Sequence, residues 1–233
     1  MSNLFSVGHV AQLHEIQSAR LKRGLPGIAP EVEELIRRLT SGGVGTKSDD
    51  PRVQQAKCLW DKGWGRELKF DSFDEYLATI PGIGEEFITD ERFPHLILVD
   101  RRPGLTKSCS LAGLRFNSNN NTFADFDPKQ FKKEDVYWVT CNDGRQNRNR
   151  KTVDCRKSFA KDEIGLVAFE GVALYAQRPE VINDHFVYLC GSVHVGSRDH
   201  VAIIGCWGGV PELSWNLDVD ADPDYVVASR REC

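Results

Sequence analysis

VAIIGCWGGVPELSWNL, residues Val201 to Leu217, is the stretch whose reading decides the fold. Its first seven residues are apolar on both faces, as in a strand that lies inside a sheet. Gly208-Gly209 is a two-residue hairpin connection, because glycine adopts the left-handed backbone that such turns need. After the turn the chain alternates. Pro211, Leu213, Trp215, Leu217 and Val219 fall on one side, and Glu212, Ser214, Asn216 and Asp218 on the other. One face therefore meets a core and the other meets water, and Trp215 is expected in the core beside Leu213 and Leu217. Patterned strand character starts upstream at Phe186 and returns downstream at Tyr225 to Ser229.

Immediately before these strands, Asp162 to Arg178 reads as one helix that is apolar on nearly every side. Only the stripe Glu163, Glu170, Gln177 is polar, and it is expected to form an exposed edge. Gly171 in the middle implies a close approach of helix to sheet, since glycine there is otherwise destabilising. Pro179 ends the helix. Helix, strand, hairpin and strand in this order give an α+β fold, with a mainly antiparallel sheet and one buried helix packed on it.

Moving outward, HLILV at His95 to Val99 and VYWVTC at Val136 to Cys141 are two further strands. Residues 8–23 and 30–40 carry helical spacing, with Gly24 and Ser41-Gly42-Gly43 as stops. Val53 to Trp60 and Ser72 to Thr79 read as short helices, the second opened by the capping pair Ser72 and Glu75. This organises the chain as a helical region over residues 1–90 followed by an α+β domain over 91–233.

A chain of 233 residues can bury a core without covalent staples. Charged residues make up 27% and the net charge is −4, so no global field attracts nucleic acid or an anionic membrane, and binding of either would need a local patch. No window approaches the roughly 18 apolar residues of a membrane helix, and since the first residues lack a basic start followed by an apolar core, neither secretion nor anchoring is expected. Seven cysteines are scattered without a CxxC pair, which reads as reduced thiols in a cytoplasm.

Glu170-Gly171-Val172-Ala173-Leu174, then Pro179-Glu180-Val181, Gly191-Ser192 and Gly209-Val210-Pro211-Glu212-Leu213-Ser214-Trp215 come one after another in an order that resembles a bacterial family of unknown function. Val226 to Ser229 is similar to that family's small-residue final strand. The resemblance spans about 65 residues closely and implies a soluble bacterial protein, with no activity attached.

Candidate sites are few. Gly42 to Ser48 looks like a phosphate loop, but a helix precedes it, Thr46 stands where glycine must precede the lysine, and two acids come directly after it. No cofactor is expected. His185, Cys190, His194, His200 and Cys206 are zinc-type ligands without knuckle spacing, and Cys206 fits a packed small hydrophobe. Asp218, Asp220, Asp222 and Asp224 alternate, yet Pro223 breaks the calcium-loop pattern. They read as a solvated strand end, with weak divalent-cation binding and pairing to the basic loop as the other readings. Glu170 is the acid on a helix otherwise greasy, where burial would raise its pKa and suit acid–base chemistry.

The loop Asn142 to Lys151 concentrates Arg145, Arg148, Arg150 and Lys151 against one acid, Asp143. Guanidinium forks match the paired oxygens of carboxylate and phosphate groups. The expected function is a non-catalytic cytoplasmic binding module that uses these four residues for an anionic ligand or a protein partner. Nucleic acid is the less favoured anion, because no aromatic side chains interleave the cations. The alternatives are a hydrolase-like enzyme in which Glu170, His185 or His194 and an arginine share one cleft, and a structural zinc protein.

Overall fold

The computed structural model describes residues 50–127 and 134–232, which form two sheets with helices packed between and around them. Three helices come first: α1 (Pro51–Asp61), α2 (Trp64–Glu67) and α3 (Phe73–Ala78). Strand β1 (His95–Asp100), α4 (Leu105–Ala112), β2 (Phe123–Asp125) and β3 (Val136–Cys141) are next. Then come α5 (Thr152–Ser158), β4 (Glu163–Gly165) and α6 (Ala168–Gln177). The remainder is β5 (Phe186–His194), β6 (Ser197–Trp207), β7 (Val210–Leu217), β8 (Tyr225–Val227) and β9 (Ser229–Arg231). The expected helices at 8–23 and 30–40, and the glycine-rich string at 42–48, lie outside the described residues.

Local chemistry explains the ends of these elements. Asp50 caps α1 by accepting a bond from the Arg52 N–H, and Pro51 starts the helix where its missing N–H does no harm. Ser72 caps α3 by accepting from the Glu75 N–H, as its capping pair implies. Asp50 to Ile80 does not stand apart from the first sheet, because Ala56, Leu59, Trp64, Tyr76 and Ile80 sit in one apolar cluster with Ile97, Leu98 and Trp138.

The first sheet runs β1-β3-β9-β4 and the second β2-β5-β6-β7. Strand β6 is central and buried from Val201 to Gly205, and Gly208 and Gly209 both take positive φ in its hairpin to β7. Strands β2 and β8 share the outer edge of β5, β2 antiparallel at Ser192 to His194 and β8 parallel at Phe186 to Tyr188. After β8 the chain passes through Ala228 and enters the first sheet as β9.

Helix α6 lies between the sheets, buried along nearly its whole length. A Cβ on Gly171 would stand 2.3 Å from the Leu189 side chain, so the close approach expected there is real. The expected helix start at Asp162 is corrected: Glu163 to Gly165 is strand β4, paired with Ser229 to Arg231, and helix begins only at Ala168. A continuous apolar run has no period, so it reads alike as buried strand or buried helix, and the ladder to β9 decides between them.

The expected exposed stripe is also overturned. Glu170 is fully buried, Glu163 accepts a bond from the Ser229 hydroxyl, and the Gln177 amide bonds both the N–H and the C=O of Leu98. Gln177 thereby seals the free edge of β1, helped by Gln55 on the Leu96 carbonyl. Trp215 departs from expectation as well, with 39% of its surface exposed. It lies near the end of β7, where its ring lies tilted against His194 and meets Phe123 edge-on while the sheet's core ends at Leu213. Cys206 is exposed, not packed, because β6 has by then run past the buried part of the sheet.

Candidate functional site

The basic loop leaves the end of β3 and is held from inside by two buried amides. Asn142 accepts from the N–H groups of Gly144 and Ser229, and its own amide donates to the Ser229 hydroxyl and the Arg92 carbonyl. Asn147 donates to the Val227 carbonyl at 3.2 Å and accepts from Arg150 at 2.9 Å. Gly144 takes φ +88°, and a Cβ there would meet the Val227 carbonyl carbon at 2.7 Å. Only glycine lets the loop lie this close to β8. Asn149 completes the turn in the left-handed region that asparagine tolerates, and its N–H bonds the Tyr225 carbonyl. The loop backbone is therefore rigid where its side chains are exposed.

Those side chains do not surround one point. Arg145 and Arg148 turn toward Asp184, Arg145 with Nη2 at 3.1 Å from Oδ1 and Arg148 with Nη2 at 4.0 Å from Oδ2. Arg145 also pairs with Asp143. Arg150 points the other way, to Asn147 and to the Ser158 hydroxyl at 2.7 Å, and Lys151 stands exposed at the start of α5. Arg145 and Arg148 remain 53% and 45% exposed, so water reaches both guanidinium groups. Arg156, which extends the basic run in the sequence, is turned inward. It pairs with Asp218 at 2.7 Å, donates to the Cys190 carbonyl and stacks on Phe126 at 4.1 Å. Of the alternating acids, Asp218 is thus drawn inside by a cation next to the loop, while Asp222 and Asp224 stay exposed.

The other candidates sit apart. Glu170 accepts from the Val167 N–H at 2.9 Å, lies 2.9 Å from Nε of Arg230 and 3.4 Å from the Tyr137 hydroxyl. Burial pushes its carboxyl above the ordinary value, against the opposing pull of Arg230. The same enclosure raises the Tyr137 phenol well above its usual range, with Glu170 adding to the effect. Every Glu170 contact is internal, and this group ties α6 to β9. His185 has its ring wholly enclosed, Nδ1 2.7 Å from Oδ1 of Asp184 and Nε2 without a partner. The His194 ring lies tilted against Trp215, centroids 4.8 Å apart, and accepts from the Gly196 N–H. His185 precedes β5 and His194 ends it. At about 3.3 Å per residue they stand on the order of 25–30 Å apart, too far to share a substrate.

No family model, curated protein or solved structure matches this chain. The site must therefore be read from its own chemistry. Among the described residues no group of three or more His, Cys, Asp and Glu side chains is gathered as for a metal ion, and no helix is long and apolar enough to cross a membrane.

Two features lie beyond what sequence reasoning found. Asp100, at the end of β1, is buried and held by the Tyr76 hydroxyl at 3.0 Å and by both sides of the Arg102 fork at 2.9 and 2.7 Å. Burial, with the Asp100 carboxylate adding to it, pushes the Tyr76 phenol far above its ordinary value. The signal available was an Asp-Arg-Arg run directly after an apolar strand. A small open cleft also runs between α5 and β4, with Phe126, Phe159, Glu163 and Gly191 on its walls. It joins residues distant in sequence, and no motif announces it.

Proposed function

We propose that this chain is a non-catalytic cytoplasmic binding module that engages an anionic ligand or partner through Arg145, Arg148, Arg150 and Lys151. The observation that carries the reading is the contrast between the loop's backbone and its side chains. Asn142, Gly144 and Asn147 anchor the backbone to β8 and β9, while Arg145, Arg148 and Lys151 face water. A rigid loop loses little freedom when a ligand binds, so its cations act as a prepared surface. The four cations outnumber the nearby acids Asp143 and Asp184 in a chain whose net charge is −4, which concentrates a local positive field.

The test neutralises Arg145, Arg148, Arg150 and Lys151 together to alanine and titrates a fluorescently labelled triglutamate peptide at low salt. The expected result is a loss of at least tenfold in affinity with the melting temperature within a few degrees of the parent, since exposed ion pairs contribute only about 0.2–1 kcal/mol each. Equal affinity of variant and parent overturns the proposal.

A further inference from the structure

We infer that Asp184 is a built-in occupant of the anion site, and that the ligand whose place it holds is a carboxylate. The inference rests on the binding role proposed for the basic loop and says what that loop recognises. The Asp184 carboxylate meets three donors from two separate segments: His185 Nδ1 at 2.7 Å, Arg145 Nη2 at 3.1 Å and Arg148 Nη2 at 4.0 Å. Arg148 also donates to the Asp184 backbone carbonyl at 3.4 Å.

The three donors differ in freedom from the group they hold. The His185 ring is fully enclosed, and its Nε2 faces no acceptor. A proton on that nitrogen would be a buried donor left unpaired, so the proton belongs on Nδ1, aimed at the carboxylate. Arg145 starts from a backbone pinned by Gly144 and Asn147. Asp184, by contrast, has a side chain that is 59% exposed, while its backbone carbonyl is the part that accepts from Arg148. Rotation about its Cα–Cβ bond carries the carboxylate into water and leaves the donors in place.

With Asp184 swung out, the N–H groups of His185, Arg145 and Arg148 that faced it are released, and although Arg145 keeps its pair with Asp143, the site is a receptor for oxygen anions. Its charge then selects among them. Arg145 and Arg148 contribute two positive charges, and Asp143, paired with Arg145, removes one. A net charge of one complements a carboxylate better than a phosphate dianion. Asp184 itself shows that a carboxylate fits the donor spacing. An external carboxylate must displace it, so Asp184 lowers the affinity of the resting protein and raises its selectivity.

The decisive variant is Asp184→Asn, which keeps the shape and the contact to His185 but loses the charge. Labelled triglutamate should bind this variant about three- to tenfold more tightly than the parent at low salt, the size expected when two exposed ion pairs stop competing. The gain should vanish in Asp184→Asn/Arg148→Ala and shrink at high salt. If the parent binds triglutamate and Asp184→Asn binds it no better, the built-in occupant is refuted while the binding role stands. If neither binds, the binding role falls with it. Inorganic phosphate binding to Asp184→Asn more tightly than triglutamate would overturn the carboxylate assignment.

Discussion

Replacing Arg230 by methionine tests the buried ion pair that joins α6 to β9. Nε of Arg230 lies 2.9 Å from Oε1 of Glu170, and the two side chains are 3% and 0% exposed. Methionine keeps most of the apolar stem and removes the counter-charge. The Glu170 carboxylate then either stays charged without its partner, at about 3–5 kcal/mol, or takes up a proton. Between the ordinary value of 4.5 and pH 7 lie 2.5 pH units. At 1.36 kcal/mol per unit, protonation costs about 3.4 kcal/mol at pH 7 and about 2 kcal/mol at pH 6.

The cheaper route sets the loss, so the variant should melt about 7–14 °C below the parent at pH 7. Burial holds the folded pKa above 4.5, so the variant's stability is whole below about pH 4.5 and is lost as pH rises toward the raised value. Urea unfolding at pH 5, 6, 7 and 8, monitored by tryptophan fluorescence, measures this. The added change Glu170→Gln should remove the pH dependence. A loss below about 1 kcal/mol that is the same at every pH would refute the reasoning, since a carboxylate deprived of its buried partner must respond to protons.

The tryptophans offer a contrast. Trp138 is buried and its indole N–H bonds the Pro81 carbonyl, so Trp138→Ala should cost about 3–5 kcal/mol in urea unfolding. Trp215→Ala should cost only about 1–2 kcal/mol, because its ring is partly in water and packs in the edge cluster with His194 and Phe123; equal losses would place Trp215 in the core after all. Acid stability depends on a different set. The Arg92 guanidinium holds the Asp162 carboxyl below its ordinary value of 3.8. That stability is present above pH 3.8 and lost as pH falls through the lowered value, so Arg92→Ala should move the acid-unfolding midpoint upward; an unmoved midpoint contradicts the assignment.

What the sequence revealed and what it hid divide along physical lines. The β6–β7 hairpin was legible because its strand pattern and its Gly-Gly turn agree, and the cap at Ser72 was legible because capping is local. The start of α6 was not, because an apolar run without period leaves strand and helix degenerate until β9 pairs with Glu163 to Gly165. Helices α4 and α5 were not legible, LTKSCSLA being short and lacking a side-chain cap, and TVDCRKS being masked by its charges. The basic loop stood out in the sequence, but the partner of Arg145 and Arg148 did not. Asp184 is 36 residues beyond Arg148, next to a histidine whose enclosure only the packing reveals. Burial of Glu170 is of the same kind, since its counter-ion Arg230 arrives only in β9, after the strands β5 to β8.

Ala228 links the two sheets through a single residue. Its N–H bonds the Tyr188 carbonyl of β5, and its own carbonyl accepts from the Leu166 N–H just after β4. Loosening either neighbour tugs at the same residue, so fluctuations in one sheet are felt at once by the other. The basic loop hangs from Val227 and Ser229 on either side of that residue, so its backbone is tied to both sheets at once.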